Sequence, residues 1–274
     1  MSKNNQMRGV SKDTNLRIMS KNNPAPIWVS QNYLTAAKTI NRLIAKTSIT
    51  KSDHVIEIGP GKGHITKALL KHSKKVSAIE IDTNLYYKLK IKFAVSQQLR
   101  LYRHDFLTWK LPVKTQYKIF ANIPFNHTTS IIQKLASSHN PPTEAWLIME
   151  KGAAKRFMGI PRENMHSLAI KPLFEIQVIY HFKREDFHPM PGVDVVMLHL
   201  KRKAIRDIPI SMWQSYRRFI SYALSDNGNG FTRILTKKQL SRACREAGLN
   251  DITSGEILYI QWLCLFRCYC KSCM

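Results

Sequence analysis

Glycine takes every second position in Glu57-Ile-Gly-Pro-Gly-Lys-Gly63, directly after an apolar run that begins at His54 and directly before a helical pattern. Without side chains at Gly59 and Gly61, the backbone can approach a ligand closely at the carboxyl edge of a sheet. A dinucleotide fingerprint spaces its glycines G-x-G-x-x-G to seat a pyrophosphate at a helix end. Here the third glycine comes one residue early, a spacing that suits a nucleoside ligand better. A tight strand-to-helix turn without a ligand is the alternative. Glu80, followed by Ile81, ends the next apolar run 21 residues after Gly59. A carboxylate there can accept both hydrogen bonds of a ribose diol. Asp105, followed by Phe106, stands past a third run, placed for an adenine amino group. Either carboxylate alone could be an ordinary strand-end cap; three ligand-facing strand ends in sequence argue against that reading.

Asn122-Ile-Pro-Phe125 follows a fourth apolar run. The exocyclic amine of a base is a poor nucleophile because its lone pair is delocalised into the ring. The amide oxygen of Asn122 and the carbonyl of Ile123 or Pro124 can accept the two amine hydrogens and return the lone pair to nitrogen. Proline fixes the direction of the chain, and Phe125 offers a flat face to an unstacked base. The alternative is a plain loop carrying a core aromatic.

These segments need a scaffold that presents successive strand ends on one edge. The chain supplies it from residue 33 as helices alternating with short apolar strands, the pattern of an α/β domain with a mostly parallel sheet. A helix is expected over Tyr33–Lys46. Strands are expected at 54–59, 76–81, 100–103, 117–121, 145–150, 173–181 and 193–200, with helices near 63–72, 83–95, 128–138 and 151–158. After Lys201-Arg202-Lys203 the composition shifts. Amphipathic helices are expected at 212–225, 236–247 and 254–268, with Asp226–Gly230 as a loop. The organisation expected is a basic arm over residues 1–29, an α/β domain over 30–206 and a small all-α domain over 207–274.

The 274 residues are 44% hydrophobic, enough for a substantial core, and 43 Lys and Arg against 18 Asp and Glu leave a formal charge of +25. Most of that excess, +17, falls on residues 31–206. Such a balance points to a polyanionic partner. No apolar run is long enough to span a membrane, and no apolar signal region follows the start, so a cytoplasmic protein with no membrane partner is expected. Four of the five cysteines, Cys264, Cys268, Cys270 and Cys273, crowd the last eleven residues. They lack the paired C-x2-C spacing of a zinc site, so no metal is expected and the thiols are read as free and exposed. His54, His64 and His104 are read as packing or hydrogen-bonding residues.

The ordered motifs resemble the Erm family of ribosomal RNA adenine N6-methyltransferases, relatives of the KsgA small-subunit dimethyladenosine transferases. The likeness runs through Ser30-Gln-Asn-Tyr-Leu34, Glu57–Gly63, Ile79-Glu-Ile-Asp82, His104-Asp-Phe106, Lys118–Asn126, Glu150–Arg156 and Phe187–Val193. It implies a Rossmann-like class I methyltransferase domain and S-adenosylmethionine as cofactor. The cofactor-binding residues implied are Gln31, Asn32, Leu34, Gly59, Gly61, Glu80, Ile81, Asp105, Phe106 and Asn122. The catalytic loop implied is Asn122, Ile123, Pro124 and Phe125. Lys62 and Ile123 resemble the large-subunit branch, since KsgA-like enzymes usually carry leucine at the position of Ile123. The partner implied is 23S rRNA, free or in a precursor particle, methylated by a monomer so as to confer resistance to macrolides, lincosamides and streptogramin B. A 16S rRNA dimethyladenosine transferase, or a nucleic-acid-binding protein that keeps the fold without the chemistry, are the alternatives. An NAD-dependent oxidoreductase fits the glycine spacing and the charge less well. The chain departs from the family at Phe125, where many members have tyrosine, and at Asp194 and Val195, where relatives often have small polar residues. The arm and the cysteine-bearing tail lie outside the shared pattern.

Overall fold

The computed structural model describes residues 32–252 and 257–273; the basic arm and Gln31 lie outside the described residues. Five strands run parallel: β2 (His54–Ile58), β3 (Lys75–Glu80), β4 (Leu99–Arg103), β5 (Lys118–Asn122) and β6 (Glu144–Glu150). Two more, β7 (Phe174–His181) and β9 (Val195–Arg202), complete a seven-stranded sheet in the order β4-β3-β2-β5-β6-β9-β7, with β9 antiparallel to both neighbours. The mostly parallel sheet expected from the strand–helix alternation is therefore present. The strand order reverses at β2, which pairs with β3 on one side and β5 on the other, so a crevice opens beyond the carboxyl ends of these strands.

Side-chain alternation along the strands builds two cores, one on each face. Ile56, Ile58, Ile119, Ala121, Leu147 and Met149 pack on one face with α4 (Thr128–Ser137) and α5 (Lys151–Met158). Val55, Val76, Phe120, Trp146 and Ile148 pack on the other with α1 (Ala37–Ala45) and α2 (His64–His72). In α1, Ile40, Leu43 and Ile44 recur at helical spacing and are all buried. The helix α3 (Thr83–Lys92) joins β3 to β4 and starts where Asp82 Oδ1 accepts the Leu85 N–H at 2.8 Å.

Several elements differ from the sequence expectation. Tyr33–Leu34 does not begin a helix. It is a short strand, β1, paired antiparallel with β8 (Phe187–His188), a partner about 150 residues away that no local pattern announces. The six-residue helix α6 (Met165–Ile170), capped by Asn164, is too short to show a period. Asp226–Arg233 is a 3-10 helix rather than an open loop.

A third core joins Ile208, Tyr216, Phe219, Phe231, Trp262 and Phe266 to Leu168 of α6. It packs α7 (Trp213–Ala223) and α8 (Lys237–Glu246) with α9 (Tyr259–Cys273). Three of the thiols expected to be exposed are not: Cys268 is buried, with Sγ 3.0 Å from Glu246 Oε2, and Cys264 and Cys270 are half-buried, because α9 turns an aromatic face into this core; the Cys273 side chain lies outside the described ones. Burial, reinforced by the Glu246 carboxylate, pushes the Cys268 thiol up to about 12.

Two consequences are measurable. Phe219 is fully buried with its ring 5.3–6.2 Å from those of Phe231, Trp262, Phe266 and Tyr269. Phe219→Ala is expected to cost about 3–5 kcal/mol in urea unfolding, whereas a loss below about 1 kcal/mol would mean this core does not hold the helices together. Glu57 on β2 is 2% exposed, and burial pushes its carboxyl up to about 8, a rise that Thr66 offsets in part and Glu80 reinforces. The folded protein then holds a proton that the unfolded chain releases, so stability falls as pH rises between about 4.5 and about 8. Over that window wild type should lose about 1.4 kcal/mol per pH unit relative to Glu57→Gln, and parallel pH profiles of the two would contradict the assignment.

Candidate functional site

The crevice at the strand-order reversal holds a pocket lined by Asn32, Tyr33, Gly59, Gly61, Glu80 and the run Asn122–Phe125. Gly59 and Gly61 follow β2, Glu80 ends β3 and Asn122 ends β5, so three adjacent parallel strands deliver their last residues to one place. Gly59 and Gly61 both have positive φ, at 64° and 56°, a backbone conformation that glycine adopts without strain. A Cβ on Gly59 would point into open space, and one on Gly61 would lie 2.6 Å from the Tyr33 ring. The turn is therefore closed on one side by Tyr33 and open on the other.

Glu80 is 1% exposed, yet each carboxylate oxygen is held. Oε2 accepts the Gly61 N–H at 3.0 Å and Oε1 accepts the Asp82 N–H at 2.9 Å. Each oxygen keeps a second lone pair, so the carboxylate can still accept two hydroxyls from a ligand in the pocket. Burial pushes Glu80 above the usual carboxylate range, and the backbone N–H groups of Asp82 and Gly61 oppose that rise. In the neighbouring Glu57, burial, reinforced by the Glu80 carboxylate, pushes the carboxyl up to about 8.

Asn122 Nδ2 donates to the Asn32 carbonyl at 2.8 Å. That bond fixes which end of the amide carries the donor and leaves Oδ1 as the free acceptor. Ile123 N–H is tied to the Ile148 carbonyl at 2.9 Å, and the Pro124 carbonyl accepts the His127 N–H at 2.9 Å, where a 3-10 turn begins at Phe125. The loop is braced from both ends, and Phe125 is half-buried against the core while lining the pocket.

Other sequence-predicted residues sit outside this lining. Leu34 is buried in the core with its backbone paired to Phe187. Ile81 is 46% exposed beyond Glu80. Asp105 follows β4 by two residues, with Oδ1 accepting the Leu107 N–H at 2.8 Å, and Phe106 is buried with the Lys134 ammonium 5.3 Å above its ring. His54 Nε2 lies 2.9 Å from Ser77 Oγ, and His104 Nδ1 lies 2.9 Å from the Asp105 carbonyl. Tyr33 was not anticipated as a lining residue. Its ring covers Gly61, the Lys62 ammonium sits 4.9 Å from its centroid, and burial, then Glu80 and Asp82, raise its phenol. Only the long-range pairing of β1 with β8 puts it there, so no local signal could have found it.

The open glycine turn, the two free lone pairs on a buried carboxylate and an oriented amide acceptor fit a nucleoside-bearing cofactor. Among the described residues no helix is long and apolar enough to cross a membrane.

Comparison with known proteins agrees with this geometry. The family model for ribosomal RNA adenine dimethylase matches residues 25–251. An rRNA adenine N-6-methyltransferase of Enterococcus faecalis is 34% identical over 252 residues, covering 92% of this chain and 97% of the relative. One from Staphylococcus aureus is 32% identical, covering 92% and 98%. Among solved structures, the 23S rRNA methyltransferase ErmE superposes with a TM-score of 0.76 at 24% identity, over 86% of this chain and 99% of that one. A dimethyladenosine transferase from Plasmodium falciparum gives 0.67 at 21%, over 86% and 98%. At those identities the two structures speak for the fold, a Rossmann-like class I methyltransferase with a helical C-terminal region. The match across most of the chain and the 34% identity settle the rest: the chain belongs to the ribosomal RNA adenine dimethylase family, enzymes that take their methyl group from S-adenosylmethionine.

Proposed function

We propose that the chain methylates N6 of a specific adenine in 23S rRNA, in the cytoplasm and as a monomer, and so confers resistance to macrolides, lincosamides and streptogramin B. The observation that carries the chemistry is the Asn122 amide, turned by its bond to Asn32 so that Oδ1 is left to accept from a target amine. The choice of the large subunit is supported by Lys62 and Ile123 and by the likeness to ErmE in fold. In this reading residues 30–206 form the catalytic unit, and residues 207–274 help to cradle the RNA.

Bound S-adenosylmethionine supplies a methyl group made electrophilic by its sulfonium. Glu80 would hold the ribose hydroxyls, Gly59 and Gly61 would let the chain pass close beneath the cofactor, and Asn32 lines the pocket; the family likeness adds Asp105 for the adenine amino group and Gln31, Leu34, Ile81 and Phe106 to the seat. On the substrate side, Asn122 Oδ1 accepts one hydrogen of the target amine. The carbonyl of Ile123, or that of Pro124, which also takes the His127 N–H, accepts the other. Both bonds draw the lone pair out of the ring and onto N6. Phe125 stacks on the flipped base and excludes water from one face. With the cofactor held there, its sulfonium methyl would be the electrophile for N6, the thioether would leave, and the proton N6 gives up would pass to water. Placement and preorganised acceptors supply the catalysis.

Asn122→Ala should lower kcat about a hundredfold or more while cofactor affinity, read by calorimetry, changes much less. Unchanged turnover would remove Asn122 from the chemistry. Reverse-transcriptase stops mapped on rRNA from expressing cells test the target: a new stop in the large subunit is expected, and stops confined to the small subunit would point to a dimethyladenosine transferase of ribosome assembly instead.

A further inference from the structure

The helix α3 breaks the usual pattern of a surface helix. Such a helix turns its apolar stripe inward and its polar face to water. In α3 Leu89 is buried, but Tyr87, Ile91 and Val95, spaced i, i+4 and i+8 through the helix and the turn after it, are 50%, 80% and 95% exposed. That spacing puts Tyr87 and Ile91 on one outward face of the helix, and Val95 lies in the turn beyond its end. Single exposed apolar residues need no explanation, but an aligned set on one helix calls for a partner.

The surroundings of the stripe specify what that partner is. Lys88 and Lys90 are exposed beside it, and residues 83–104 carry Lys88, Lys90, Lys92, Arg100 and Arg103 with no Asp or Glu among them. Among the described residues, neither Lys88 nor Lys90 has a carboxylate within ion-pair distance. The Tyr87 ring is steadied by Tyr86, edge-on at 5.4 Å between centroids. A held aromatic face among unneutralised lysines is the combination that binds single-stranded nucleic acid, the ring stacking on bases and the ammonium groups meeting phosphates. The charge argues against a second copy of this chain, which would bring the same lysines against themselves.

The stripe is also tied to the cofactor turn. The Asp82 that caps α3 gives its N–H to Glu80, Lys92 Nζ donates to the Lys62 carbonyl at 2.7 Å, and a Cβ on Gly63 would meet Leu89 and Phe93 at 2.7 Å. Both ends of the helix are thereby fastened to residues beside the pocket.

We propose that Tyr87, Ile91, Lys88 and Lys90 on α3 form a docking surface for unpaired nucleotides flanking the target adenosine, with Tyr87 as the stacking platform. This rests on the reading that RNA is the substrate. It adds a place where single-stranded RNA is held outside the pocket.

The test uses the full chain and a fluorescent twelve-residue oligoadenylate, single-stranded or annealed to oligouridylate. Tyr87→Ala should weaken binding of the single strand about fivefold or more, with a smaller effect on the duplex, and Tyr87→Phe should restore it. Lys88→Ala with Lys90→Ala should flatten the dependence of log affinity on log salt by about one to two. In methyl transfer to rRNA, Tyr87→Ala should raise KM and spare kcat, with cofactor affinity unchanged. Tyr87 and Ile91 are exposed, so the variants should melt like wild type. Unchanged affinity of Tyr87→Ala and Ile91→Ala for the single strand would overturn the proposal. So would wild-type binding to phosphatidylglycerol vesicles that these variants lose while their RNA affinity holds, which would make the stripe a membrane contact. Absence of any methyl transfer by wild type would defeat the functional reading, and the oligoadenylate arm would still report on α3.

Discussion

The parallel pairing of β2 with β3 on one side and β5 on the other is the constraint from which the site follows. Parallel strands point their carboxyl ends the same way, and the reversal of strand order at β2 sends the connections on its two sides to opposite faces, which opens a crevice at that edge. Gly59, Glu80 and Asn122 are far apart in the chain but become neighbours because each stands at or just past the end of one of these strands. The register leaves little freedom. A one-residue slip of β5 would turn Phe120 and Asn122 to the opposite faces and break the alternation that fills both cores. Core packing and the position of the Asn122 amide are thus set by the same hydrogen-bond ladder.

The second layer of control is polar. Glu80 is buried, which pushes its carboxyl above the usual range, and the Asp82 and Gly61 N–H groups oppose that rise. The Gly61 N–H that serves Glu80 belongs to the turn that Tyr33 covers, and Asn32, next to Tyr33, orients Asn122. A short ribbon, β1 with β8, therefore sets both Tyr33 over the glycine turn and Asn32 beside the Asn122 amide. Local propensity has little part in this; the ribbon exists because the sheet and α1 bring its two halves together.

That division explains what could be read from the residues alone. The sheet and most of its helices were legible because their signals are local: apolar alternation in β2, β5 and β6, helical spacing of Ile40, Leu43 and Ile44, and glycine at positive φ between β2 and α2. The strand ends at Gly59, Glu80 and Asn122 could be placed together because the α/β pattern dictates which edge they share, and the structure does bring them to one pocket. Tyr33 escaped because its place depends on pairing across the chain. The cysteines of α9 were misread because a helix with little charge can face either water or a core, and only the aromatic cluster around Phe219 decides between them. The exposed stripe on α3 escaped as well, since spacing alone does not say which face of a helix is turned outward.

What unites these layers is a single claim: the pocket at the β2 reversal passes a methyl group to the exocyclic nitrogen of an adenine in RNA. The most direct measurement is transfer of labelled methyl from S-adenosylmethionine to protein-free large-subunit rRNA, followed by digestion to nucleosides and chromatography. Label recovered as N6-methylated adenosine is the result this account predicts. Label on a ring nitrogen, on a ribose hydroxyl or on another base would contradict it, because the role proposed for the Asn122 loop is to accept the two hydrogens of an amine.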